Sequence, residues 1–252
     1  MNIVKISGIV VCFNEERDIE NCLTSMLKVC DELVVIDSYS TDRTPEICKS
    51  LGVKFHQHPF EGYIEQKVYA ASKASSNILL SLDADETLSD ELVDSILKVK
   101  EDWSADGYYM NRLTSYCGKW IRHSGWYPDR KMRLFDFRKG LWGGTNPHDK
   151  FSLVKNARSG ILKGDIYHYS FYTHKEYTDQ LKKFAEIAAH SLYINGVRSN
   201  IFKLIYKPIA SFLKSYFVKL GFLDGKEGFV IARMSAYAKY LKYNNLKKIN
   251  ES

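Results

Sequence analysis

The segment Leu80-Ser81-Leu82-Asp83-Ala84-Asp85-Glu86 sets two carboxylates two residues apart, just past a fully apolar run. Carboxylates so placed can reach into one crevice. With no histidine or cysteine beside them, they form a hard-oxygen site suited to Mg2+ or Mn2+ bridging phosphates. The chemistry this serves is the departure of a phosphate leaving group. The same residues also suit a solvated acidic turn ahead of a helix, because Asp and Glu favour helix starts. Two more polar positions share the setting: Asn14 follows the run Ile6 to Phe13, and Asp37 follows Leu33-Val34-Val35-Ile36.

The apolar runs read as buried strands, and helices separate them. Ile19, Cys22, Leu23, Met26 and Cys30 recur at spacings of three and four, with Asn14 placed as an N-cap. Ser40, Thr41 and Asp42 offer turn and cap oxygens, Pro45 suits a first helical position, and Gly52 closes that helix. Val53 to Phe55 reads as a strand, Ile64 to Ala74 as a helix, Ile78 to Leu82 as a strand, and Ser89 caps a helix to about Lys100. This alternation predicts an α/β fold, a Rossmann-like, mostly parallel sheet with helices on both faces. Ligands of such sheets bind at the carboxyl ends of the strands, where Asn14, Asp37 and Asp83 fall. Beyond Trp103 the pattern becomes short strands and turns rich in aromatics: Gly107 to Arg112, Trp120 to Trp126, Met132 to Phe137 and Ile166 to Tyr169. From His174 onward it is helical.

Three blocks, Val10-Val11-Cys12-Phe13-Asn14-Glu15-Glu16, Val35-Ile36-Asp37-Ser38-Tyr39-Ser40-Thr41-Asp42-Arg43-Thr44 and Leu82-Asp83-Ala84-Asp85, stand in an order and spacing that resembles the family 2 glycosyltransferases. The second half narrows the likeness. Glu61-Gly62-Tyr63 with Gln66-Lys67, Trp120 to Asp129, Arg133-Leu134-Phe135, His148-Asp149 and Leu220 to Gly225 look like the branch that includes lipopolysaccharide inner-core β-1,4-glucosyltransferases. The resemblance implies a GT-A-like fold that binds a nucleotide sugar and inverts the anomeric centre. It divides the chain into a donor half (1–102), an acceptor-binding and catalytic half (103–172) and a helical C-terminal extension (173–252).

Carried over by residue, the resemblance implies that Asn14, Glu15, Asp37, Ser38, Lys67 and Asp83 bind the donor, Asp37 and Ser38 at its uracil or ribose and Lys67 near its diphosphate. Asp85 and His148 take the metal roles, for Mg2+ or Mn2+. Members often carry Asp-Asp-Gly-Ser where this chain has Asp37-Ser38-Tyr39-Ser40, with serine in place of the second acidic residue. An inverting transfer needs one carboxylate to take the acceptor hydroxyl proton while the metal stabilises the departing phosphate. The family usually shows His-Glu where this chain has His148-Asp149, which makes Asp149 the first choice of base and Asp129 the alternative. For each, the competing reading is a loop carboxylate in an ion pair with Arg130 or Arg133. Trp120, Trp126, Tyr127 and Trp142 suit both sugar faces and a core.

Composition bounds these readings. The 252 residues are 45% hydrophobic and 26% charged, which excludes collagen, coiled coil and wholly disordered polymer. Five cysteines without a CxxC pair suggest neither a zinc site nor a disulfide framework and fit a reducing cytosol. The run Ile6 to Phe13 is short and leads straight into Asn14, Glu15 and Glu16, which makes it a poor signal peptide. Residues 201–252 hold ten Lys or Arg against three acids, +7 of a total of +6, over a near-neutral body. At about 100° per residue, Lys203, Lys207 and Lys214 share one face of a helix from Ile201 to Leu220 whose remainder is largely apolar. Four lysines oppose a bilayer span. Two readings stay open: the helix lies on an anionic membrane, on the inner face of the bacterial cytoplasmic membrane, or it packs on the protein with its lysines in water.

The partners expected are a UDP-sugar and a lipid-linked or lipopolysaccharide-core saccharide, and not nucleic acid. A nucleotidylyltransferase would need a glycine-rich loop where this chain has Phe13-Asn14-Glu15-Glu16. A non-catalytic membrane-peripheral scaffold with a nucleotide-binding fold is the other rival.

Overall fold

The computed structural model describes residues 3–145 and 148–251. Its elements in chain order are β1 (Ile6–Cys12), α1 (Ile19–Leu27), β2 (Glu32–Asp37), α2 (Thr44–Ser50), β3 (Lys54–Gln57), α3 (Tyr63–Lys73), β4 (Ile78–Asp83), β5 (Glu86–Leu88) and α4 (Asp90–Glu101). There follow β6 (Gly107–Tyr116), β7 (Lys119–Trp120), β8 (Asp129–Asp136), β9 (Gly140–Thr145), β10 (His148–Leu153), β11 (Ser159–Phe171), α5 (His174–Ile194), α6 (Ile201–Leu213) and α7 (Gly225–Glu251). They form two compact units, residues 1–112 with 129–169, and residues 113–128 with 170–252.

The first unit is built on a sheet of order β3-β2-β1-β4-β8-β6-β11-β5. Pairing is parallel from β3 to β4 and antiparallel at β4–β8, β8–β6 and β11–β5. Side chains alternate across a strand, and both faces are covered here, which is why the strands read as unbroken apolar runs. Ile6, Val10, Leu33, Val35, Leu80 and Leu82 turn to one face, packed with Leu23 and Met26 of α1 and Leu92 and Ile96 of α4. Ile9, Val34, Ile36 and Leu79 turn to the other, packed with Ala70 and Ala71 of α3 and with Phe135 and Phe151. The α/β architecture with helices on both faces is thus as the sequence implies. Ser89 caps α4 by accepting from the Leu92 N–H at 3.3 Å.

β5 and the β9–β10 hairpin escaped the sequence reading. β5 is only three residues long, and β9 carries Gly140, Gly143 and Gly144, which dilute any strand signal. Asn14 does not cap α1. The cap position is Asp18, and the Asn14 carboxamide accepts from the Thr41 N–H instead.

In the second unit, α5 packs on α7, and α6 packs on α7. Its core joins Tyr116, Ile121, Phe171, Tyr177, Leu181, Ile231 and Met234, with Trp126 against them. The strand expected at Trp120 to Trp126 is not formed beyond Trp120. The Asp224 carboxylate takes the N–H groups of Arg122 and His123 at 3.3 and 2.9 Å, so a side chain does there what a neighbouring strand would do. The helix expected from Ile201 to Leu220 is also shorter. α6 ends at Leu213, a π-helical turn spans Lys214–Val218, and Leu220 adopts φ 54°. The break is fastened by Ser215 Oγ donating to the Ser124 carbonyl and by the Ser124 N–H donating to the Lys219 carbonyl. No helix among the described residues is long and apolar enough to cross a membrane.

Gly164 in β11 combines φ +91° with a Cβ position 2.4 Å from Leu92 N and 2.8 Å from Leu92 Cα, rigid backbone in the first turn of α4. Gly52 has φ +68° and open space around it. Gly52→Ala should therefore lower the unfolding free energy by about 1 kcal/mol, the conformational cost alone, and Gly164→Ala by about 3 kcal/mol, because the overlap adds to it. Urea titration of the two variants measures the difference.

Candidate active site

Two loops at the carboxyl ends of β1 and β2 are laced together. Asn14, at φ 55°, donates its N–H to Ser40 Oγ at 2.8 Å while its Oδ1 accepts from Thr41 N at 2.8 Å. The Glu15 N–H donates to Thr44 Oγ1 at 2.8 Å, the Glu16 N–H to Asp42 Oδ2 at 3.0 Å, and Glu16 Oε2 accepts from Arg43 N at 3.0 Å. Asx and hydroxyl side chains tie backbone well in such turns, which explains why the Asn-Glu-Glu and Ser-Thr-Asp-Arg-Thr blocks occur together. Asp37 is fully buried beneath them and accepts from Ser40 N at 3.0 Å, from Ser40 Oγ and from Gln57 Nε2 at 3.1 Å. Ser38 Oγ accepts from Gln66 Nε2 at 2.9 Å.

Beside these loops lies a cavity of about 460 Å³ lined by Glu15, Ser38, Phe60, Tyr63, Gln66 and the end of β1. Phe60 and Tyr63 meet edge to face at 5.1 Å and are both exposed, presenting aromatic surface to the cavity. Burial pushes the Glu15 carboxyl up to about 7, assisted by the negative charges of Asp85, Asp18, Asp42 and Asp83.

A second cavity, of about 420 Å³, holds Lys67, Asp83 and Asp149 together. Lys67 Nζ, on a side chain 5% exposed, donates to Asp83 Oδ1 at 3.0 Å and to Asp149 Oδ2 at 2.9 Å. Burial alone would lower the Lys67 pKa. Asp83 and Asp149 outweigh it, and the ammonium is held above its ordinary range. Burial likewise opposes ionisation of Asp83, but Arg133 and Lys67 hold its carboxyl well below the usual range.

The charges continue beyond Asp83. Arg133 Nη2 donates to Asp83 Oδ2 at 2.5 Å and to Glu86 Oε1 at 2.7 Å, and Glu86 Oε1 also accepts from Arg112 at 3.3 Å. Arg112 then grips Asp129 through Nε and Nη2 at 3.0 and 2.7 Å, and Lys131 adds a contact at 3.2 Å. The result is a ladder of alternating sign, Asp149, Lys67, Asp83, Arg133, Glu86, Arg112, Asp129, Lys131. The two candidate bases stand in it with different surroundings. Asp149 lines the cavity, whereas Asp129 does not, and Arg112 and Lys131 overcome its burial to keep its carboxyl low. Neither carboxylate pairs with Arg130 or Arg133, the partners considered from sequence. Their partners are Lys67 for Asp149 and Arg112 with Lys131 for Asp129.

Asp83 meets the two cations, and Asp85 meets His168 Nε2 at 3.1 Å. No three of His, Cys, Asp and Glu gather as a metal-binding group among the described residues. The side chain of His148, the other expected metal ligand, lies outside the described residues. Asn14, Asp37, Asp85 and Asp129 line neither cavity. The aromatics divide in use: Trp126 packs among Tyr116, Phe171 and Tyr177, while Trp142 stacks by its edge on Phe135 and Phe151 and lines the second cavity.

Sequence reasoning assigned no functional role to Arg133, Arg112, Glu86, Gln66 or His168. Arg133, Glu86 and Gln66 stand inside the motif blocks, so their signal was present without a partner to interpret it. Arg112 and His168 are single polar residues on strands, and nothing in their spacing marks them.

Because the folded-state pKa of Glu15 lies above its unfolded value, its contribution to stability is fully present below about pH 4.5 and is lost as pH rises through about 7. Glu15→Gln removes the charge. The variant should show little Tm difference from the wild type near pH 5 and a higher Tm than the wild type at pH 8, a comparison that thermal melts across the range provide.

Residues 7–175 match the family described as Glycosyl transferase family 2. The chain is 30% identical over 258 residues to an uncharacterised glycosyltransferase of Rickettsia felis, covering 98% of this chain and 90% of that one. It is 28% identical over 251 residues to the lipopolysaccharide core biosynthesis glycosyltransferase LpsC of Rhizobium meliloti, covering 94% and 89%. Among solved structures, S. aureus TarS 1-349 in complex with UDP superposes with a TM-score of 0.50 at 17% identity, covering 99% of this chain and 91% of that one. With most of its length matched to one family and relatives aligned nearly end to end, this chain belongs to glycosyl transferase family 2 and has the GT-A fold.

Proposed function

We propose that this glycosyltransferase moves a hexose, glucose, from a UDP-sugar to a saccharide acceptor with inversion at the anomeric carbon, in the synthesis of lipopolysaccharide or another cell-surface glycan. The observation that carries the reading is Lys67, buried between Asp83 and Asp149 in one cavity. A cation suited to the donor diphosphate there touches the carboxylate suited to deprotonate the acceptor. The UDP held by TarS supports the nucleotide, and the name of LpsC supports the glycan.

In this reading residues 1–102 form the donor half, with Asn14, Glu15, Asp37, Ser38, Lys67 and Asp83 at the nucleotide sugar, and residues 103–172 supply the acceptor side. Phe60 and Tyr63 offer flat apolar surface to the base, beside Ser38 and Gln66. When the diphosphate arrives, Lys67 exchanges its contact with Asp149 for a phosphate oxygen. Asp149, 9% exposed, is then free to accept a hydrogen bond from the acceptor hydroxyl. It takes the acceptor hydroxyl proton as that oxygen bonds to the anomeric carbon. The bond from that carbon to the diphosphate oxygen breaks, and the electron pair leaves with UDP, whose charge Lys67 and Arg133 stabilise.

Asp85 and His168, a carboxylate and an imidazole nitrogen 3.1 Å apart, are the pair that would hold a Mg2+ or Mn2+ ion. When bound, such an ion supplies further neutralisation of the departing diphosphate. His148 is a further candidate ligand.

A membrane-facing role of the C-terminal region belongs to the same reading, at the inner face of the bacterial cytoplasmic membrane. α6 buries none of its residues, and Ile201, Phe202, Ile205 and Ile209 are exposed beside Lys203 and Lys207, a combination suited to an anionic lipid interface.

UDP release measured over a panel of UDP-sugars tests the chemistry. It should be fastest with UDP-glucose and should be lost when a chelator removes divalent cations. Asp149→Asn should lower turnover by about 10² or more with little change in UDP affinity. If Asp129→Asn shows that pattern and Asp149→Asn does not, the base is Asp129.

Changing Lys203, Lys207 and Lys214 together to Gln should weaken binding to anionic vesicles by on the order of a hundredfold, at about 1 kcal/mol per charge. Vesicle co-sedimentation measures this, and equal sedimentation of the wild type and the variant removes the membrane role.

A further inference from the structure

The lining of the second cavity is more basic than a donor-and-base site requires. Six cationic residues are among its lining: Lys67, Arg112, Arg130, Lys131, Arg133 and Lys150. The ladder from Asp149 to Lys131 contains four carboxylates and four cations and is neutral in itself. Arg130 and Lys150 remain, both exposed and neither paired with a carboxylate among the described residues, so the cavity carries an excess of two positive charges. Arg130 enters from β8, opposite Asn111, and Lys150 from β10, opposite Gly143. A second observation points the same way. The Nε of Arg133, on a side chain only 10% exposed, has no hydrogen-bond partner, leaving a buried donor in a residue that lines this cavity. Buried donors are nearly always satisfied, by protein, water or ligand.

We propose that the second cavity recognises an anionic group on the saccharide acceptor, a phosphate monoester or a carboxylate, through Arg130 and Lys150. The inference rests on the reading above that places the acceptor hydroxyl at Asp149, which lines the same cavity. Tyr109 and Trp142 bring aromatic surface to it for the sugar ring. The nucleoside of the donor has the other cavity, lined by Glu15, Ser38, Phe60 and Tyr63. Charge-assisted bonds from Arg and Lys to phosphate or carboxylate oxygens are the strong class of hydrogen bond. Two of them at the cavity rim select an anionic sugar over a neutral one before any chemistry occurs.

The test is a binding comparison on the intact chain, independent of turnover. Glucose 6-phosphate, glucuronate and glucose are titrated by calorimetry, each with and without saturating UDP. At least one of the two anionic sugars should bind about tenfold or more tighter than glucose with UDP present, and which one does so distinguishes phosphate from carboxylate recognition. Arg130→Gln with Lys150→Gln should abolish that preference while changing UDP affinity less than about twofold, and raising salt should weaken the anionic sugar only. Equal binding of all three sugars, or binding of none, overturns the proposal. So does loss of UDP affinity in the double variant, or displacement of the anionic sugar by UDP, since the cations would then serve the donor diphosphate. Should Asp149→Asn keep full turnover, the catalytic reading fails while this binding comparison still stands or falls by itself.

Discussion

A guanidinium taken out of water is tolerated only where carboxylates meet it, and Arg133 is such a group, nine-tenths buried against Asp83 and Glu86. The rest of the site follows from that requirement. Glu86 is wholly buried and meets both Arg133 and Arg112. Its second oxygen accepts from the Asp83 N–H at 3.0 Å, so the turn carrying the Asp-x-Asp segment is clamped from within. Asp83 in turn is available as an anion because Arg133 and Lys67 overcome its burial. Removing one member of such a ladder leaves its neighbours uncompensated, which makes the arrangement a unit and not a set of separate pairs.

The ladder also separates the two carboxylates that could act as base. Asp129 is gripped twice by Arg112 and once by Lys131, an arrangement that fixes the start of β8 and disfavours proton uptake. Asp149 has one cation, Lys67, which is the cation given to the donor phosphate in the proposed function. A contact that substrate can remove is a different thing from a contact that holds a strand. This is the physical ground on which the proposed function takes Asp149 first, and Asp129 second, as the base.

Within the second unit, a carboxylate plays the corresponding organising role. Asp224, buried, receives Arg122 N, His123 N and the His123 ring, and the Asp224 carbonyl accepts from Lys119 Nζ at 2.6 Å. Gly221 and Gly228 make the close approach possible, since a Cβ on Gly228 would fall 1.8 Å from the Gly221 carbonyl oxygen. Residues 120–128 and 220–225, distant in sequence, therefore meet at a single junction and form its opposite sides.

The sequence by itself determined the alternation of strand and helix through residue 101, β5 apart, because continuous apolar runs and period-three-and-four spacings are local consequences of burial on two faces. It also showed which segments carry Asn14, Asp37 and Asp83 to strand ends, and the motif order that assigns the family. It could not show partners. Asn14 looked like a helix cap because its distance to α1 suited one, yet Thr41 and Ser40 claimed it from another loop. Trp120 to Trp126 looked like a strand until Asp224, about a hundred residues on, supplied the acceptor its backbone needed. The pairing of Asp149 with Lys67, of Asp85 with His168 and of Arg112 with Asp129 joins residues 82, 83 and 17 positions apart. Electrostatic partners of this kind are chosen by distance in space, which spacing along the chain does not encode, and so only the tertiary structure decided them.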